Sequence, residues 1–160
     1  MATTTPLRGP VTAVTFSAGA QTLAAGAYAV SSAIDTSTLG SGGIAADDID
    51  LTVSAGIAAT ALANDTIDVY ALTSIDGVTY SDGPADGSTD TTHNLNMAYL
   101  GSLTVPSAAA QTIVGAMSAL AACFRAGTIP RYLKIVVYDG SGAALTSLAA
   151  SVQGINESVA

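Results

Sequence analysis

Twelve carboxylates, one histidine and one cysteine are the residues of this 160-residue chain with the widest chemical repertoire. Asp47, Asp48 and Asp50 form one acidic group; Asp76, Asp82, Asp86 and Asp90 form another. Carboxylates gathered in loops can ligate calcium, but neither group has the alternating Asp/Asn spacing, closed by a glycine, of a calcium-binding loop. Asp-Gly turns and a solvated strand face account for both groups. A glycosidase needs two carboxyls across a cleft, one of them with a raised pKa, and nothing in the sequence selects such a pair. His93 is the only histidine, so a two-histidine zinc site cannot form, and any Ser-His-Asp triad would have to use it. It sits in a polar stretch with no nucleophile-elbow sequence and reads as a solvated loop residue. Cys123 is alone, which excludes an internal disulfide and a cysteine zinc site; between Ala122 and Phe124 it reads as a small buried hydrophobe. Gly40-Ser-Gly-Gly-Ile-Ala45 formally matches a dinucleotide fingerprint. No helix-forming segment follows it, however, and Asp47 and Asp48 would stand where a pyrophosphate needs positive potential. It reads as a glycine-rich turn. The chain is expected to use no cofactor and no metal, and not to be an enzyme.

The elements that would position these residues are short strands. Ala is abundant, yet the other strong surface helix formers are almost absent, with one Glu, one Lys and three Gln. Thr, Val, Ile and Tyr are instead cut at short intervals by Gly, Asp and Pro, the pattern of strands and turns. Val11–Phe16 alternates small polar and apolar residues. Ala27–Ile34 places Tyr28, Val30 and Ile34 on one face and Ala27, Ala29, Ser31 and Ala33 on the other. Asp48–Ser54 is the clearest strand, with Ile49, Leu51 and Val53 opposed to Asp48, Asp50, Thr52 and Ser54. Thr66–Ser74 follows and ends at the turn Asp76-Gly77. Met97, Tyr99, Leu103 and Val105 share a face of the next strand, which Pro106 terminates. Thr112–Met117 is expected as strand and Ser118–Phe124 as a short helical turn. Tyr132–Tyr138, apolar on both faces apart from Lys134, is a central strand, and Ala144–Val152 is the last. Ser81–Asn94 is an exposed loop. About eight strands with one short helix predict an all-β protein, an antiparallel β-sandwich of jelly-roll-like form. The predicted organisation is an extended N-terminal arm over 1–10 and a single sandwich domain over 11–160, because Pro6 and Pro10 disfavour helix and little in the arm can bury itself.

Charge narrows the partners. Only Arg8, Arg125, Arg131 and Lys134 are basic, and the net charge is −8. Nucleic-acid affinity rests on clustered Lys and Arg that neutralise phosphates, so neither nucleic acid nor an anionic lipid surface is an expected partner. The N-terminus lacks the charged and apolar regions of a secretory signal, and no apolar run has the length of a membrane span. Small residues dominate: Ala, Thr, Gly and Ser number 32, 20, 16 and 16.

Two segments are more specific than composition. Ile67-Asp-Val-Tyr-Ala-Leu-Thr-Ser-Ile-Asp-Gly-Val-Thr-Tyr-Ser-Asp-Gly83 is a strand, a turn and then Tyr-Ser-Asp-Gly. Ile129-Pro-Arg-Tyr-Leu-Lys-Ile-Val-Val137 precedes the turn Asp-Gly-Ser-Gly-Ala-Ala144. Together they resemble a family of small β-sandwich virion proteins encoded by tailed bacteriophages, over about Ile67 to Leu145, with Gln153-Gly-Ile-Asn156 also fitting. The resemblance implies a structural protein of the virion, most simply a capsid decoration or cement protein. Such a protein would be made in the host bacterial cytoplasm and would bind the outer capsid surface through the major capsid protein and neighbouring copies of itself, as a homo-oligomer. The alternatives are a phage tail or fibre module that binds a host-surface carbohydrate, with Tyr80 as the best aromatic platform, and a surface-layer or secreted adhesin. The expected interface residues are Thr3, Thr4, Thr5, Pro6, Leu7 and Arg8 of the arm, which could anchor or exchange as a strand, together with Tyr80 and Arg131. Arg131 and Lys134, three apart on a strand, are expected to face opposite sides, and one of them could pair with an Asp.

Overall fold

A computed structural model describes residues 4–17, 22–89, 96–124 and 127–159. Its strands are β1 (Thr4–Val14), β2 (Tyr28–Val30), β3 (Ile34–Asp35), β4 (Asp48–Ile57), β5 (Thr66–Ser74), β6 (Ala98–Thr104), β7 (Gln111–Met117), β8 (Tyr132–Asp139) and β9 (Leu145–Val159). One sheet has the order β1-β9-β4-β7 and the other β2-β8-β5-β6, with β3 added to β8. Every pairing is antiparallel. With β2 and β3 taken as one interrupted strand, the chain crosses between the sheets at every step except β5 to β6, which are neighbours in one sheet, and this is the connectivity of a jelly roll. The expected all-β sandwich is therefore the fold, and its only helices among the described residues are 3-10 turns.

Strands with clean alternation form where the sequence places them. Ile49, Leu51, Val53 and Ala55 of β4 are fully buried against Ile67, Val69 and Ala71 of β5 and Leu133, Ile135 and Val137 of β8. Each such Ile, Leu or Val contributes about 1.5–3 kcal/mol of burial. Alanines at zero exposure, Ala29, Ala55 and Ala71, let the two layers approach closely.

Four expectations are corrected. The face assigned to Met97, Tyr99, Leu103 and Val105 is split by a bulge. Val69 pairs with Gly101 and the adjacent Tyr70 with Tyr99, so Leu100 is the extra residue. Leu100, Leu103 and Val105 are consequently buried in the main core, whereas Tyr99 packs on the outer surface beside Tyr70. Gly101, at φ 157°, supplies a backbone conformation that an L side chain rarely adopts. The run Ala27–Ile34 is broken in the same way. Val30 pairs with Val136 and Ile34 with Leu133, four residues opposing three, which turns Ile34 inward while Tyr28 and Val30 face outward. The last strand does not stop at Val152 but continues to Val159. Finally, residues 4–10 are not a detached arm: β1 pairs with β9 from Thr4↔Val159 to Val14↔Ala150, so the expected boundary at residue 10 falls inside a sheet strand.

One end of the sandwich is closed by the connection from β3 to β4. Its two 3-10 turns, Thr36–Thr38 and Ser41–Gly43, cross between the sheets, tied to one by Thr36 N–H donating to Arg131 O and to the other by Asn156. The buried Asn156 accepts from Ser41 N–H (2.9 Å) and donates to Ala45 O (2.7 Å). The Gly40–Ala45 segment is thus the glycine-rich turn its composition suggested, with Gly42 and Gly43 at positive φ.

Candidate interaction surface

Three of the grouped carboxylates, Asp48, Asp76 and Asp86, are turn and cap residues. Asp48 Oδ1 accepts from Ile49 N–H and from Ala121 N–H, both at 2.8 Å, and so holds the 3-10 turn Leu120–Cys123 against β4. Asp86 Oδ1 accepts from Val30 N–H (2.8 Å) and its Oδ2 from the Ser17 hydroxyl. Asp76 Oδ1 accepts from Thr79 N–H, Val78 N–H and the Ser74 hydroxyl, and these hydrogen bonds hold its pKa down at about 2. Among the described residues no three His, Cys, Asp or Glu side chains gather in a metal-binding group. Asp90 and His93 lie outside the described residues, as does Arg125. Cys123 is exposed rather than buried: of the turn Leu120–Cys123 only Leu120 is buried, and the next inward residue is Phe124.

Asp139 is the exception among the carboxylates. It ends β8 fully buried, its Oδ1 accepting from Ser141 N–H (3.0 Å) and from the Ser141 hydroxyl (2.6 Å), while Oδ2 has no partner. Burial raises its pKa above the usual carboxylate value, and the bonds from Ser141 offset this only in part. A carboxyl whose pKa is higher folded than unfolded contributes stability that is complete below the unfolded pKa, about 3.9, and is lost as pH rises through the folded pKa. Asp139→Asn keeps the acceptor for Ser141 and cannot ionise. Urea midpoints of the variant should therefore gain on wild type as pH is raised from 4 toward 8; parallel profiles would show that Asp139 does not carry this dependence.

All six tyrosines lie on the outer side of the β2-β8-β5-β6 sheet. Tyr28, Leu72 and Val136 form a second buried cluster there, joined by Val30, Tyr70, Tyr80, Met97 and Tyr138. The loop after β5 packs on this cluster at Gly83, where an added Cβ would meet the Leu72 side chain, and it runs along the free edge of β2, where Gly87 N–H donates to Tyr28 O (2.7 Å) and Tyr28 N–H donates to Ser88 O (2.9 Å). Tyr28 and Tyr138 stack with centroids 4.8 Å apart, and Tyr70 meets Tyr99 edge-on at 5.4 Å. Burial, then the Asp68 charge, pushes the Tyr70 hydroxyl up to about 12, so it remains a neutral donor. Tyr99 keeps 52% of its surface exposed. Two further apolar side chains stand in solvent on the turn after β5, Ile75 at 93% exposure and Val78 at 83%.

The expected interface residues occupy two separate places. Thr3 lies outside the described residues; Thr4 and Thr5 are placed by their backbone, which pairs with Val159 and Ser158. Pro6 and Leu7 continue β1 opposite Glu157 and Asn156. Arg8 is engaged within the domain, bonding Asp50 Oδ2 at 2.6 Å and Gln153 Oε1 at 3.1 Å. Tyr80 and Arg131 belong to the other sheet. The Tyr80 ring carries the Lys134 ammonium 4.4 Å from its centroid, and its hydroxyl is buried without a partner rather than wet. A ring so covered is a poor sugar platform; Tyr99 is the more open aromatic. Arg131 precedes β8 instead of lying on it, packs 5.0 Å over the Tyr132 ring and approaches Asp35 at 3.9 Å. Sequence reasoning missed Gly9, Gly154 and Asn156, which seat the β3–β4 connection. Only the glycines hinted at this, as sites of close backbone approach.

The outer face of the other sheet has a different character. Thr52 and Ser54 of β4, Ala149 and Ser151 of β9, and Ala116 and Val114 of β7 lie in register across it. Its centre is uncharged, with the Arg8–Asp50 pair toward one end. No helix of the described residues is long and apolar enough to cross a membrane. No protein-family model matches the chain, and no curated protein matches it in sequence.

Proposed function

We propose that this protein is a non-enzymatic structural component of a tailed-phage virion, a decoration or cement protein that binds the outer surface of the major capsid protein and neighbouring copies of itself. The observation that carries the reading is how its polar chemistry is used. Asp48, Asp76 and Asp86 brace turns and strand ends, while the centre of the β1-β9-β4-β7 face presents small uncharged residues. Such a face suits extended contact with protein, because little charge must be desolvated. The resemblance of Ile67–Gly83 and Ile129–Ala144 to small virion sandwiches supplies the setting. A jelly roll is compatible with it but hosts many functions. A capsid lattice repeats one site many times, so modest contacts gain strength from multivalency.

The exposed Tyr99, edge-on to Tyr70, favours a second reading, a tail or fibre module that binds carbohydrate. Quantitative gels of purified particles separate the two. A lattice-bound protein is expected at copies on the order of hundreds per particle; a handful of copies, with glycan binding lost in Tyr99→Ala, would replace the capsid reading with the tail reading.

A further inference from the structure

Sheet edges expose unpaired N–H and C=O groups, and proteins that stay monomeric blunt them with proline, charge, bulges or brevity. Three of the four edges here are treated in this way. β1 carries Pro6, Arg8 and Pro10, and its register shifts between Arg8 and Val11. β2 is three residues long. β6 is bulged at Leu100. β7 has none of these devices. Its sequence, Gln-Thr-Ile-Val-Gly-Ala-Met, contains no proline and no charge, and its register against β4 is unbroken from Leu51↔Met117 to Ile57↔Gln111. Among the described residues nothing pairs with its far side. Val114, at its midpoint, is 65% exposed.

We propose that β7 pairs antiparallel with β7 of a second copy, joining two four-stranded sheets into one continuous sheet across a two-fold axis. Overlap of all seven residues places that axis at Val114. Val114 then faces its own copy, Ile113 faces Gly115, Thr112 faces Ala116 and Gln111 faces Met117. Core-side residues thus meet core-side residues, and outer residues meet outer ones, so the pairing continues both faces of the sheet. The register sets no like charges opposite each other, a requirement in a chain of net charge −8. The two-fold makes the contact self-complementary and closed. This names the edge through which the self-association in the proposed function would occur, and it rests on that part of the reading.

The test is the solution mass of the isolated protein, by sedimentation, for wild type, Val114→Lys, Val114→Glu and an equimolar mixture of the two variants. Val114 is solvent-facing within one copy, so both variants should keep the wild-type circular dichroism. Wild type is expected to be dimeric at tens of micromolar. Each variant alone should dissociate at least about ten-fold more readily, because like charges then oppose each other, and mixing should restore the dimer. A monomeric wild type, single variants that keep the dimer, or a mixture that fails to recover it would each overturn the pairing. Loading onto heads is read separately: a wild-type monomer that still loads sinks the edge pairing alone, and a dimer that does not load sinks the capsid reading alone.

Discussion

Replacing Tyr28 by Ala is expected to cost about 3–5 kcal/mol, the range for removing a buried aromatic side chain, and to lower Tm by roughly 6–20 °C for a domain of this size. Tyr28 is fully buried, yet it does not belong to the core between the sheets. It anchors the second cluster, where its ring stacks on Tyr138 and its backbone is bonded to the loop that returns from β5. The residues around it, Leu72, Val136, Val30 and Tyr70, come from three strands and cannot close together over the vacancy without moving the sheet. Tyr28→Phe retains the ring and should cost under about 1.5 kcal/mol, the scale of one hydrogen bond. Denaturant midpoints for the two variants check the argument. An equal loss in both would place the effect in the hydroxyl rather than in packing. Because the loop bonded to Tyr28 carries Asp86, which accepts from Val30 N–H, the alanine variant should also be cut faster by protease between residues 81 and 89 than the phenylalanine variant.

Gly154→Ala is the second substitution with a large expected effect. A Cβ at Gly154 would lie 2.4 Å from Leu39 O and 2.5 Å from Leu39 C, and one at Gly9 would lie 1.8 Å from the same oxygen. The obstacle is backbone, so no side-chain rotation relieves it. The β3–β4 connection would have to lift from β1 and β9, pulling Leu39 from the core and straining the Asn156 bonds to Ser41 and Ala45. The expected loss is about 1–3 kcal/mol or more, and Gly9→Ala should lose more than Gly154→Ala. Gly87→Ala provides the contrast. Its φ is 75° with nothing within 4 Å of the new Cβ, so only backbone strain of about 1 kcal/mol applies. Thermal unfolding of the three variants should rank in that order, and a Gly87 variant as damaged as Gly9 would show that φ, not contact, dominates.

These two sites also show where reading the chain succeeds and where it stops. Asp48–Ser54, Thr66–Ser74 and Tyr132–Tyr138 are legible because inward and outward residues alternate within the strand itself. Tyr28 is legible as a strand residue, but its residue type does not reveal that it is fully buried outside the main core, since the loop bonded to it lies more than fifty residues further along the chain. Of the candidate interface, Arg8 and Tyr80 stand out in the sequence, yet the partners that occupy them, Asp50, Gln153 and Lys134, are set by contacts between segments distant in the chain.

What the sequence determined by itself is the all-β class, the main strands and the turns at Asp-Gly, because alternation and turn chemistry are local properties. The low charge that argues against nucleic acid is equally a property of composition alone. The tertiary structure decided which strands share a sheet, and so that residues 4–10 form part of an edge strand and that β7 is the unguarded edge. It also decided on which side of the bulges at Leu100 and between Val30 and Ile34 each apolar residue falls. An extra residue on one strand is defined only by the strand opposite it, so a reading along a single chain segment carries the wrong face past the bulge. The same non-local pairing set Asp48 against Ala121 and Asp86 against Val30, and left the Asp139 carboxyl buried with one oxygen unpartnered.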